Sequence, residues 1–159
     1  MRKINDIQKS YIAGFLDGDG SVYVKLKKND TYRYGYQISP YITFYQKATY
    51  IDFLEKMKKM LGVGYTRSRK DGVAEYTIGD EKSLLEFAKQ ISPFSKLKSR
   101  QLRLLSSILK LKSKTKSAKD FIVLCKKIDM FKELNYSKKR TQDSKEVLKY
   151  LVSKDLLTP

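Results

Sequence analysis

The chain has 159 residues, the length of one domain around one hydrophobic core, and its 34 Lys and Arg against 17 Asp and Glu leave a formal charge of +17. Such a field suits a polyanion, so nucleic acid is the expected partner; no apolar run approaches the roughly 20 residues that span a bilayer, so no membrane partner is expected and the protein is expected to be soluble and intracellular. Histidine is absent and Cys125 is the single cysteine. These two facts remove His-dependent nucleases, Ser-His and Cys-His triads, zinc sites and disulfides, and they leave hydrolysis to carboxylates, Lys, Arg and hard metal ions on oxygen ligands.

Asn5 with Gln8 three positions later forms a capping pair, and the helix it opens carries Ile7, Tyr11 and Phe15 to Asp19. Gly14 and Gly18 lie four apart on one face, where missing side chains let another backbone approach closely. Asp19 stands at the helix C-terminus, against the partly negative end of the macrodipole, unless a cation joins it there. Taken alone, Gly18-Asp19-Gly20 reads equally well as a metal site or as a turn between helix and strand.

From Ser21 to Lys28 the period changes to two. Val22, Val24 and Leu26 alternate with Tyr23, Lys25 and Lys27, which predicts a strand with one buried and one basic face. After the turn-prone Asn29-Asp30, a second strand puts Tyr36, Ile38, Ile42 and Phe44 on one side and Gln37, Ser39, Tyr41 and Thr43 on the other. Pro40 cannot donate a ladder hydrogen bond, so this strand is expected at an edge or with a bulge. Ile51, Leu54, Met57 and Leu61 restore helical spacing until Gly62 and Gly64. A second hairpin follows: Tyr65, Arg67 and Arg69 share a parity, Lys70-Asp71-Gly72 turns, and Glu75 and Thr77 oppose the buried Ala74, Tyr76 and Ile78.

Leu84, Phe87, Ala88 and Ile91 predict a short helix ended before Pro93, and Leu97, Leu104, Leu105, Ile108 and Leu111 a longer one. The order α-β-β-α-β-β-α predicts an α+β fold, a four-stranded antiparallel sheet with helices on one face and the other face open. Residues 110–119 are Lys-rich with Ser and Thr and read as a solvated connection. Two amphipathic helices are expected at about 118–134 and 143–152; Cys125 shares the apolar face of the first with Phe121, Leu124, Ile128, Phe131 and Leu134 and reads as a packed core thiol. A basic loop, Ser137 to Thr141, lies between them. The chain is thus expected to be one domain over 1–159, with a core at about 5–112 and a helical extension at about 118–153.

The open face offers Tyr23, Lys25, Lys27, Gln37, Ser39, Thr43, Arg67, Arg69, Glu75 and Thr77, with Asn29, Thr31 and Tyr32 in the turn between the first two strands. Arg and Lys match guanine edges, Gln adenine, Glu the cytosine amine and Thr the thymine methyl, so this composition suits base reading in a major groove. A polar face that merely meets water has the same alternation.

Several segments taken together, Gly14 to Ser21, Gln46-Lys47, Phe53-Leu54, Gly62-Val63-Gly64-Tyr65, Pro93-Phe94 and Leu97-Lys98, resemble in order and spacing the LAGLIDADG homing endonucleases, and among them the single-motif homodimeric branch typified by a chloroplast intron enzyme. The resemblance covers roughly residues 7–150. It implies an Mg²⁺-dependent DNA endonuclease in which Asp19 and the Gly18 carbonyl bind metal and Gln46 and Lys98 organise the water and stabilise charge at the cleaved phosphate. It further implies that Ser137 and Lys138 contact phosphate. Tyr50 stands where that branch often carries Arg, with Lys47 nearby. One motif per chain implies a homodimer and a double-strand cut, and a strand of about ten residues spans roughly 33 Å, so two subunits could follow a near-palindromic site of about twenty base pairs. The expected setting is a prokaryotic cytoplasm or an organelle. The rival class is a non-cleaving protein of the same fold, an intron RNA maturase or a DNA-binding regulator, for which intron RNA would be a partner.

Overall fold

Helix α1 (Asp6–Asp19) begins where the capping pair places it: the Gln8 N–H donates to Asn5 Oδ1 at 2.9 Å and the Asn5 N–H donates to Gln8 Oε1 at 3.0 Å. The computed structural model describes residues 1–135 and 142–157. Strand β1 (Gly20–Lys28) follows at once, with Val22, Val24 and Leu26 buried as its alternation requires. Strand β2 (Tyr36–Lys47) leads through a short 3₁₀ turn (Ala48–Tyr50) into α2 (Ile51–Leu61), and α2 ends at Gly62, whose φ of 72° is the left-handed cap that glycine supplies without strain.

Strands β3 (Tyr65–Ser68) and β4 (Val73–Ile78) form the second hairpin, and α3 (Glu81–Ile91) starts where the Ser83 N–H donates to Asp80 Oδ1 at 2.8 Å. Helices α4 (Ser99–Lys112), α5 (Ala118–Asp129), α6 (Phe131–Leu134) and α7 (Ser144–Ser153) complete the described chain. The strands form one sheet in the order β1-β2-β4-β3, with β2 and β4 antiparallel from Ile42↔Ile78 to Lys47↔Val73 and β3 and β4 antiparallel from Tyr65↔Thr77 to Ser68↔Ala74. The fold is α+β, as the element order predicts. No helix of the described residues is long and apolar enough to cross a membrane.

Contacts divide the chain into two compact units, Met1–Tyr23 with Pro40–Ser106 and Val24–Ser39 with Ser107–Pro159. In the first, α2 packs on β3 and β4, and α1 packs on α3. Phe44 is its centre: fully buried, it stacks on Phe15 at 5.4 Å and Tyr76 at 5.8 Å and meets the edge of Phe87 at 6.1 Å. In the second, α5 packs on α7, and Cys125 is fully buried among Phe121, Leu124, Ile128 and Phe131, a core thiol as expected.

Three local expectations are corrected. Strand β2 is interior rather than an edge, and Pro40 lies before Ile42↔Ile78, where its pairing with β4 begins, so it removes no bond from that ladder. The turn-prone Asn29-Asp30 opens a seven-residue loop, 29–35, held by its own backbone bonds, and β2 starts at Tyr36 as the alternation predicts. Leu97 is 72% exposed because it precedes α4 instead of lying on its apolar face. The helix expected at 118–134 breaks at Met130, whose N–H returns to the Lys127 carbonyl, a tighter i−3 bond that separates α5 from α6.

Phe44→Ala is expected to cost about 3–5 kcal/mol, because its cavity lies among three other aromatic rings. Urea unfolding read by circular dichroism checks this, with Val123→Ala at a position 57% exposed as the near-neutral comparison.

Candidate active site

The last turn of α1 brings two carboxylates to a place where helix carbonyls already concentrate negative potential. Asp17 meets this by accepting four hydrogen bonds from the segment before α4. The Ser95 hydroxyl donates to Oδ1 at 2.6 Å, the Lys96 N–H to Oδ2 at 2.7 Å, the Leu97 N–H to Oδ2 at 3.1 Å and the Lys98 N–H to Oδ1 at 3.1 Å. Burial alone would push this carboxyl up, but the Ser95 hydroxyl and the Leu97, Lys96 and Lys98 amides together outweigh it and hold the group below the usual carboxylate range. Sequence reasoning missed this clamp. The signal was there in a second acid at a helix C-terminus, which needs donors from elsewhere in the chain.

The same segment aims Lys98 back at the helix, where its ammonium donates to the Asp17 carbonyl at 2.6 Å. Burial lowers the Lys98 pKa, while Asp17 and Asp19 oppose that effect by favouring its charged form. Asp19 is exposed, and its Oδ2 accepts from Gln46 Nε2 at 3.3 Å, a contact long enough to leave the carboxylate open to a stronger ligand. Asp19, Gln46 and Lys98, the three expected catalytic residues, thus come from α1, β2 and the turn before α4 to one place, with Gly18 between the two acids. Tyr50 is 58% exposed at the start of α2, and Lys47 is exposed at the end of β2.

The donor set suits a hard divalent cation: a carboxylate and a backbone carbonyl, with an amide oxygen within reach if Gln46 turns. Among the described residues no group of three or more His, Cys, Asp or Glu could hold a metal by itself. With the Asp17 oxygens taken up by residues 95–98, Asp19 is the carboxylate of this turn left open to a cation.

Of the residues expected on the open face, the first unit carries six. Arg67 and Arg69 are exposed, and Tyr23 lies tilted against Tyr41 at 5.7 Å. Thr43, Glu75 and Thr77 are buried instead of projecting freely, which corrects that expectation: the Thr43 and Thr77 hydroxyls bond one another at 3.0 Å, and Glu75 lies against Arg67 and Arg69. Arg67 Nε donates to Glu75 at 2.7 Å, Arg69 Nη1 donates to the other Glu75 oxygen at 3.1 Å, and Arg69 Nη2 pairs with Asp71 at 2.5 Å. Two guanidinium groups are thus balanced by two carboxylates, Arg67 held through one nitrogen and Arg69 through two. In the second unit Lys25, Lys27, Thr31 and Tyr32 are exposed, and Asn29, Gln37 and Ser39 are partly exposed. Ser137 and Lys138 lie outside the described residues.

Asp17→Asn is expected to lower stability at neutral pH by roughly 1.5–3 kcal/mol, since charged acceptors give the stronger hydrogen bonds. The folded pKa lies below the unfolded value, so the contribution is complete above about pH 4 and is lost as pH falls through the folded pKa. Urea midpoints of wild type and variant should therefore differ at pH 7 and converge towards pH 2.

The LAGLIDADG endonuclease family model matches residues 12–106. DNA endonuclease I-CreI of Chlamydomonas reinhardtii is 38% identical over 138 residues, 86% of this chain and 84% of that protein. DNA endonuclease I-CvuI of Chlorella vulgaris is 29% identical over 150 residues, 92% of this chain and 93% of that one. The crystal structure of I-CvuI in complex with its target in the presence of Ca matches with a TM-score of 0.91 at 27% identity, covering 96% of this chain and 97% of the other. By the matched motif, the extent of the identity and the shared fold, this chain belongs to the LAGLIDADG endonuclease family.

Proposed function

We propose that the protein is a site-specific homing endonuclease that makes a metal-dependent double-strand cut in a long, near-palindromic duplex, acting as a homodimer. The observation that carries the reading is the meeting of Asp19, Gln46 and Lys98 at the end of a helix whose outer face its own chain leaves largely exposed. On that face Ile7 is 83% and Tyr11 56% exposed, and a Cβ added at Gly14 or Gly18 would meet nothing within 4 Å. The glycines are therefore not needed for packing inside the chain. A second copy of α1 crossing there would use the missing side chains, bury the apolar pair and bring a second Asp19 to the twofold axis.

In this reading Asp19 and the Gly18 carbonyl hold a divalent cation, Mg²⁺ by the hardness of the oxygen donors. A bound cation would lower the pKa of an attacking water and neutralise charge on the phosphate and the leaving 3′ oxygen. Gln46, already directed at Asp19, orients that water. Lys98, anchored on the Asp17 carbonyl, presents a cation to the developing phosphorane charge. Duplex DNA as substrate is supported by the relatives, which are named DNA endonucleases, and by the target complex of I-CvuI. Arg67 and Arg69, being charge-balanced, suit base edges better than a general attraction to phosphate. An intracellular site, in a cytoplasm or an organelle, belongs to the same proposal.

Incubation with Mg²⁺ and a randomised duplex library, followed by sequencing of cut ends, tests the reaction: wild type should select a site of about twenty base pairs, and Asp19→Asn should bind that site without cutting it. Cutting by the variant at the wild-type rate would remove Asp19 from the metal site, and selective binding by wild type without any cut would point to the non-cleaving class. Gly14→Leu tests the assembly. It should keep the helical signal, because its side chain enters open space, yet convert a dimer of the 18.5 kDa chain to a monomer in light scattering and abolish double-strand cuts.

A further inference from the structure

The loop between β1 and β2 is expected to face DNA, yet its shape is set from the far end of the chain. Within the loop the Asn29 N–H donates to the Gly35 carbonyl at 2.9 Å, the Gly35 N–H to the Tyr32 carbonyl at 2.8 Å, and Asn29 Oδ1 accepts from both the Thr31 N–H at 3.1 Å and its hydroxyl at 2.7 Å. These bonds close the loop but leave Thr31, Tyr32 and Arg33 exposed. Tyr150 of α7 reaches both of its stems. Its hydroxyl donates to Asp30 Oδ1 at 3.1 Å, its ring stands edge-on to Tyr36 at 5.5 Å and 89°, and the Lys28 ammonium lies over it at 5.7 Å.

The fit leaves no room for another residue at Gly35. Its φ is +69°, and a Cβ there would come within 2.1 Å of the Tyr150 ring. One aromatic side chain, 120 positions along the chain from Asp30, therefore contacts the residues on either side of Asn29, Thr31 and Tyr32 while touching none of the three in any hydrogen bond or ring contact described above. A loop that must present donors to base edges gains selectivity when its backbone is fixed beforehand, since a mobile loop adapts to the wrong base at little cost.

We infer that Tyr150 is a positioning residue for DNA specificity: by clamping Asp30, Tyr36 and Gly35 it fixes the loop 29–35 and thereby the base preference at the positions that Asn29, Thr31 and Tyr32 reach. This rests on the proposed reading of duplex DNA by the sheet. The Tyr150–Asp30 bond is the testable part of the clamp, because it can be removed without disturbing the ring.

The experiment uses the full chain and the duplex selected by wild type, and measures binding to all of its single-base variants. Thr31→Ala first identifies the base pairs that the loop sets. Tyr150→Phe and Asp30→Ala, each of which removes the hydrogen bond, should each reduce discrimination at those same base pairs by about fivefold or more, the low end of a bidentate base contact. The double variant should lose no more than either single one, the mark of a shared interaction. Preference at base pairs sensitive to Arg67→Ala should be unchanged. A profile identical to wild type, losses that add in the double variant, or uniform weakening at every base pair would overturn the inference. Absence of any base preference in wild type would instead overturn the proposed function, and this inference with it.

Discussion

A carboxylate in the last turn of a helix faces the carbonyl end of the macrodipole, and Asp17 occupies such a place only because residues 95–98 bring one hydroxyl and three amide N–H groups to it. That set of bonds ties the end of α1 to the start of α4. It also places the Lys98 ammonium on the Asp17 carbonyl and leaves the neighbouring Asp19 turned outward towards Gln46. The candidate catalytic group is thus assembled by a residue that need not take part in chemistry. If these bonds were absent, Lys98 would have no fixed position relative to Asp19, and two acids would remain against the same helix dipole with one cation fewer to balance them.

The outer face of α1 states a second constraint. Glycine in the middle of a helix costs roughly 0.5–1 kcal/mol relative to alanine, and at Gly14 no neighbour in this chain would be met by the side chain it lacks. With exposed Ile7 and Tyr11 on the same face, a second backbone at close range, as in the proposed dimer, would give these glycines a purpose. In the proposed reaction, one candidate metal-binding carboxylate per chain, Asp19, points the same way from chemistry rather than packing.

Charge is used economically on the surfaces expected to meet nucleic acid. The chain carries +17 as a whole, but Arg67 and Arg69 share their charge with Glu75 and Asp71 and gain fixed direction from doing so. The loop 29–35 follows a comparable plan with aromatic rings. Tyr150 grips its stems, and Tyr34 stacks on Phe121 at 4.9 Å while donating to the Lys116 carbonyl, so the Lys-rich run that reads as a solvated connection also supplies an anchor. In the proposed function, long-range attraction and local discrimination would then fall to different residues.

Periodicity and capping chemistry are local properties, and the sequence determined what depends on them: the Asn5–Gln8 start of α1, the alternation of β1, the Gly62 end of α2, the core thiol Cys125 and the motif that carries Asp19. The resemblance implies metal, water and charge roles for Asp19, Gln46 and Lys98, and the structure brings the three side chains near one another. What tertiary structure alone decided are pairings between distant residues, since no pattern in one segment encodes a partner elsewhere. Asp17 finds its donors some 80 positions away, and Thr43 meets Thr77 across a strand pair, burying hydroxyls that alternation placed on an open face. Glu75 reads as a free acceptor until cross-strand register sets it against Arg67, and Tyr150 reads as one more aromatic on a helix until the fold brings Gly35 against its ring. Register and helix docking fix these contacts, and both are set by the burial of whole faces rather than by any single residue's preference.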